Sequence, residues 1–219
     1  MSITGICLIL FMTFHLCMNA VALFSGNAYN EVCEFLGANW YAVVGTIVLA
    51  FLAVCHFVYA FILTAQNRRA RGVQRYDVTA RPKGVEWASQ NMLVLGIIIL
   101  LGFCLHFYNF WCNMMFAELT GSTVGILGVT GPSDGFGLMK YTFGQPVYVV
   151  LYVIWLCAIW FHLSHGFWSS MQTLGFNGKI WFNRWKVIGI VYASLLVLGF
   201  LVVVLAFAFG CAPSLCTLS

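Results

Sequence analysis

Charge is what this chain has least of. Asp, Glu, Lys and Arg make up only 7% of its 219 residues, against 62% hydrophobic ones, and mean hydropathy is +0.94. Soluble domains are about a quarter charged, so a water-soluble fold is excluded and an integral membrane protein is indicated. The nine cysteines contain no CxxC or CxxCH spacing, which excludes covalently attached c-type haem. Most of them sit in apolar stretches and read as small buried hydrophobes; Cys211 and Cys216 could pair outside the membrane. The first apolar run, 3–24, lacks a basic leader and a small-residue cleavage site. It reads as a retained span, not a signal peptide. No apolar segment carries an Asp or Glu at its centre.

What remains is enough apolar sequence for five crossings of ~20–25 residues. The spacing predicts a single all-α transmembrane domain over 1–219, with spans at about 4–24, 40–64, 88–112, 146–172 and 186–210. Open strands in lipid would leave backbone groups unpaired, so each span is helical. Pro146 suits the first turn of the fourth span. The segment GNAYNEVCEFLGAN after span 1 predicts a short interfacial helix, and 113–144 reads as a glycine-rich loop with a turn at Gly131-Pro132.

Nine of the ten Lys and Arg residues follow spans 2 and 4, including Arg68, Arg75, Arg81, Lys179 and Lys186; only Lys140 lies on the other side. The positive-inside rule then makes those loops cytoplasmic, with the N-terminus inside and the C-terminus outside.

All five histidines lie in apolar segments, where an imidazole is costly and needs a reason. At 1.5 Å per residue, His56 and His162 lie roughly 14 and 15 Å above the cytoplasmic edge, and His15 and His106 roughly 15 and 10 Å below the outer one. Spans 2 and 4 therefore offer histidines toward the inside, and spans 1 and 3 toward the outside. Two bis-histidine haems need this arrangement, one imidazole from each of two facing helices. The same residues also admit interhelical hydrogen bonds, or a haem-free histidine-dependent transporter. A transporter would be expected to carry an intramembrane carboxylate as well. His165, three residues after His162, shares its helix face and could meet a haem propionate, a quinone or a backbone carbonyl. Gly45, Gly96, Gly102 and Gly166 could let a porphyrin or a neighbouring helix approach closely.

The stretches LILFMTFHLCMN, CHFVYAFILTAQN, WASQNMLVLG, LHFYNFW and FHLSHGFWSSMQTLG together resemble the five-helix dihaem cytochrome b subunit of succinate dehydrogenases (succinate:quinone oxidoreductases) and quinol:fumarate reductases, in the form found in Bacteroides-like anaerobes. The resemblance covers nearly the whole chain. It implies His56 and His162 as ligands of a proximal haem b, and His15 and His106 as ligands of a distal one. Gln90, Asn91, His165, Ser169 and Gln172 become candidate propionate or quinone contacts. It also implies menaquinone as lipid substrate, with a flavoprotein subunit and an iron–sulfur subunit on the cytoplasmic face. The expected place is a bacterial inner membrane, in electron transport of anaerobic respiration, with a dimer of heterotrimers as one expected assembly and no nucleic-acid partner. Dicarboxylate chemistry would belong to the flavoprotein subunit. A cytochrome b anchor of another oxidoreductase, such as a hydrogenase, is the neighbouring alternative.

The chain departs from the family pattern in three places. Trp160 stands where some relatives carry a glutamate that moves protons. Gly37 aligns with the relatives' quinol-site glutamate, leaving Glu31, Glu34 and Glu118 as candidate proton acceptors. The basic segment that relatives carry before span 1 is not present.

Overall fold

The computed structural model describes residues 1–37, 39–71, 87–212 and 214. Among them there is no strand. The helices are α1 (Ser2–Phe24), α2 (Gly26–Phe35), α3 (Trp40–Arg71), α4 (Trp87–Gln90), α5 (Met92–His106), α6 (Met115–Leu119), α7 (Gly135–Phe143), α8 (Pro146–Thr173) and α9 (Lys179–Ala208), with a π-helical segment at Phe107–Trp111 continuing α5. Five segments are long and apolar enough to cross a membrane: α1, α3, α5 with its π segment, α8 and α9. The described residues thus form an all-helical fold, that of a multi-pass membrane protein.

The boundaries differ from the sequence expectation where charge is carried on a helix. α3 runs on past residue 64 to Arg71, and α9 begins at Lys179, not 186. Polar residues with good helix propensity extend a helix beyond the lipid once its apolar part has set the axis. Trp181 and Trp168 mark that end of the protein, with Arg184 over the Trp181 ring at 5.2 Å and Lys186 over the Trp168 ring at 4.6 Å. Arg75, Arg81, Lys83 and Cys216 lie outside the described residues. At the end of α8 the chain turns through Gly175 at φ +91°, a left-handed conformation that glycine adopts without a steric penalty.

The opposite end is closed by a cap. The interfacial helix α2 forms as expected, started by the Ser25 hydroxyl accepting from Ala28 N. The expected loop at 113–144 contains two further helices, α6 and α7. Asp134 accepts from Gly137 N and so caps α7, and it also accepts from Asn30 Nδ2, while Asn30 Oδ1 accepts from Phe136 N. These bonds lock α7 onto α2. Asn113, fully buried, accepts from Leu127 N and donates to Tyr108 O, which ties the loop to the π segment.

Helices α1, α3, α5 and α8 form a ring. Each packs on its two neighbours, α3 on α5 most lightly, whereas the diagonals α1–α5 and α3–α8 make no substantial backbone contact. α9 lies outside the ring against α8 and α1, held to α1 by the hydroxyls of Thr13 and Tyr192.

Candidate functional site

The unpacked diagonals leave a continuous cavity of about 1530 Å³ through the ring. A single-ligand site is typically ~300–1,000 Å³. The lining runs from Glu118 and Leu36 at the cap end to Asn67 and Thr173 at the basic end, and it includes all five histidines.

Four of those histidines form two pairs, and each pair spans a diagonal. His15 of α1 faces His106 of α5 with ring centroids 5.7 Å apart and planes at 86°. His56 of α3 faces His162 of α8 at 6.3 Å and 63°. Imidazoles on opposite sides of one metal ion, with metal–nitrogen bonds of ~2.0–2.1 Å, have centroids roughly 6 Å apart. Two independent rulers give the separation of the pairs. Thr4 touches His56, and His15 lies eleven residues further along α1, ~16 Å at 1.5 Å per residue. Tyr152 touches His106, and His162 lies ten residues further along α8, ~15 Å.

The surroundings of the pairs differ. Aromatic rings enclose the cap-end pair: Phe11 stacks on His15 at 5.3 Å, and Phe110, Tyr152 and Trp155 lie 5.1–6.1 Å from His106. Trp155 reaches that position because Gly102 has no side chain, since a Cβ there would collide with the indole. Its Nε1 donates to Ile99 O at 3.0 Å. The basic-end pair has fewer rings and more glycine. A Cβ on Gly5 would come 3.5 Å from the His56 ring, and one on Gly166 4.0 Å from His162. His56 Nδ1 lies 3.0 Å from the Thr4 hydroxyl, whereas His162 Nδ1 is buried with no hydrogen-bond partner among the described residues.

The remaining predicted residues separate into those in the cavity and those outside it. His165 and Ser169 line its basic end, with His165 against Trp168 at 4.9 Å. Gln90 and Gln172 are exposed and do not line it; Asn91 donates to Trp87 O. At the cap end Glu118 lines the cavity near Phe107, Trp111 and Met115. Glu31 and Glu34 face a shallow surface dent beside Asn27 and Asp134. Gly37 is buried against Glu118, where a Cβ would sit 2.5 Å from Oε2. Trp160 points away from the cavity and donates to Ser194 on α9 at 2.9 Å. Of the four singled-out glycines, Gly96 and Gly166 line the cavity, Gly102 admits Trp155, and Gly45 has open space around it. On α2, burial pushes the Cys33 thiol up to about 11 despite its bond with Tyr29, whose phenol burial raises in turn.

The sequence reasoning missed Thr4, Tyr152 and the π segment. Thr4 and Tyr152 reach their histidines from 52 and 46 residues away, and no local spacing announces such contacts.

These residues fit two bis-histidine haems. The imidazole pairs face each other across open diagonals, glycine leaves parts of the wall bare, and the cavity exceeds the size typical of one ligand. Among the described residues no group of three or more His, Cys, Asp or Glu side chains could hold a bare metal ion, so each pair offers two imidazoles and no further donor of those types. Comparison with protein-family models, curated proteins and solved structures finds no match.

Proposed function

We propose that the chain is the dihaem cytochrome b membrane subunit of a succinate/fumarate oxidoreductase, carrying electrons between menaquinol and an iron–sulfur partner. The observation that carries the reading is the placement of two histidine pairs on the two open diagonals of one bundle, ~15–16 Å apart along the helices. His15 and His106 would hold the distal b haem, and His56 and His162 the proximal one. Held there, haem would supply one-electron transfer at a potential set by its ligands, burial and hydrogen bonding.

The chain's own residues do the rest. Phe11, Phe110, Tyr152 and Trp155 keep water from the distal pair. His165 and Ser169 offer polar contacts at the basic end for propionates. Lys and Arg fall overwhelmingly at that end, so the positive-inside rule puts it in the cytoplasm, where the flavoprotein and iron–sulfur subunits would dock. The cap then faces outward, and the membrane is a bacterial inner membrane. Glu118 is the favoured proton acceptor for menaquinol. It is the one candidate carboxylate that lines the cavity, and the bare Cα of Gly37 leaves it room.

The test is a dithionite-reduced minus oxidised spectrum of the purified protein, with haem and protein quantified together. Two b haems per chain are expected. His106→Ala and His162→Ala should each remove one of them, about half of the signal, and the two losses should be spectrally distinct. A well-folded, colourless wild-type protein would overturn the reading.

A further inference from the structure

We infer that Thr4 is a positioning residue for His56, holding its imidazole in the tautomer protonated at Nδ1. The inference rests on the haem reading above. The Thr4 hydroxyl has one proton to donate and two lone pairs to accept with. It donates to Met1 O at 2.8 Å, back along the first turn of α1, and the same oxygen lies 3.0 Å from His56 Nδ1. With its proton on the carbonyl, Oγ1 meets Nδ1 as an acceptor, and Nδ1 must carry the hydrogen. The lone pair then belongs to Nε2, the nitrogen left for the iron. Were the hydroxyl to donate to Nδ1 instead, Nε2 would carry the proton and could not ligate.

The contact comes from the neighbouring helix of the ring and not from His56's own helix, so α1 orients a ligand that α3 supplies. The other member of the pair has no such support, since His162 Nδ1 is buried without a hydrogen-bond partner among the described residues. The two imidazoles that would hold that haem are therefore unequal. An N–H held by an acceptor makes its imidazole a stronger electron donor, which would favour oxidised iron and lower the potential of the haem held there.

The experiment is a redox titration of both b centres in the full chain, read by visible and low-spin EPR spectra, for wild type, Thr4→Val and Thr4→Ser. The centre that His56→Ala removes should shift upward in Thr4→Val by about tenfold in its oxidised-to-reduced ratio, about 59 mV for one electron. The other centre should stay in place, and Thr4→Ser should restore the native value. Unchanged potentials in Thr4→Val, with both haems present, would overturn the inference and leave the dihaem reading standing. If Thr4→Val loses its inner haem, Thr4→Ser decides: native haem content and potential support the hydroxyl's role, and the same loss in serine overturns it. Failure of the underlying reading shows separately, as absence of haem from the wild type.

Discussion

The two histidine pairs share one geometry and differ in nearly everything around it. The cap-end pair is packed: rings surround both imidazoles, Gly102 is bare so that Trp155 can lie over His106, and the α2–α7 cap closes that end. The basic-end pair sits among glycines and hydroxyls, with Thr4 on His56 and no hydrogen bond to His162 Nδ1 among the described residues. Under the proposed haem reading, the same pair of imidazoles would be tuned by aromatic enclosure at one level and by a hydroxyl contact at the other. The comparison separates what the ring of helices imposes, the pairing, from what individual side chains impose, the environment.

Three substitutions would break or sharpen that contrast. The largest effect is expected at Glu118. Glu118→Gln should slow menaquinol-dependent reduction by at least tenfold, in line with the ~10²–10⁴ contribution of positioned acid–base groups, while leaving both haem spectra unchanged. Glu31→Gln and Glu34→Gln should have little effect in the same stopped-flow assay, because those side chains face away from the cavity. Equal losses from all three would mean that the cavity-facing position of Glu118 is irrelevant.

A packing effect comes next. Gly102→Val forces Trp155 out of its seat, and overpacking of this kind costs about 1–3 kcal/mol. Thermal unfolding should show a lower Tm, and the absorption band lost in His106→Ala should shift while its partner band stays fixed. A shift in both bands would show that the environments are not independent.

The smallest effect is expected at Tyr152. Its hydroxyl lies 3.4 Å from His106 Nδ1, longer than the 3.0 Å of Thr4 on His56. Tyr152→Phe should therefore raise the cap-end potential in a redox titration, but by less than Thr4→Val raises the other. The reverse order would mean that enclosure by aromatics strengthens the tyrosine contact beyond what its length suggests.

Much of this architecture could be read from the sequence, and the remainder was hidden for physical reasons. Five spans follow from apolar length, and the levels of the histidines follow from 1.5 Å per residue, so the common level of His15 with His106 and of His56 with His162 is legible in the sequence. The cap was not. Seven glycines between Gly121 and Gly144 read as loop, and α7 exists because Asp134 caps it and Asn30 grips it from a distant helix. Nor was the difference between Glu118 and the α2 glutamates legible. The roll of α2 is set by Tyr29 reaching Asn19 and Asn30 reaching Asp134, which turns Cys33 inward and Glu31 and Glu34 outward. The π segment gave no signal either, since FYNFW is as apolar and aromatic as an ordinary helical turn.

The open diagonals have a mechanical consequence. Four rods fastened edge to edge resist being pulled apart, yet their outline can still shear from a square into a rhombus, lengthening one diagonal as it shortens the other. The His15–His106 pair marks one diagonal and the His56–His162 pair the other, at different heights. Struts of fixed length at those two places would block the shear in both senses and resist twisting between the levels. A group held at one level would then stiffen the frame in which the other is held.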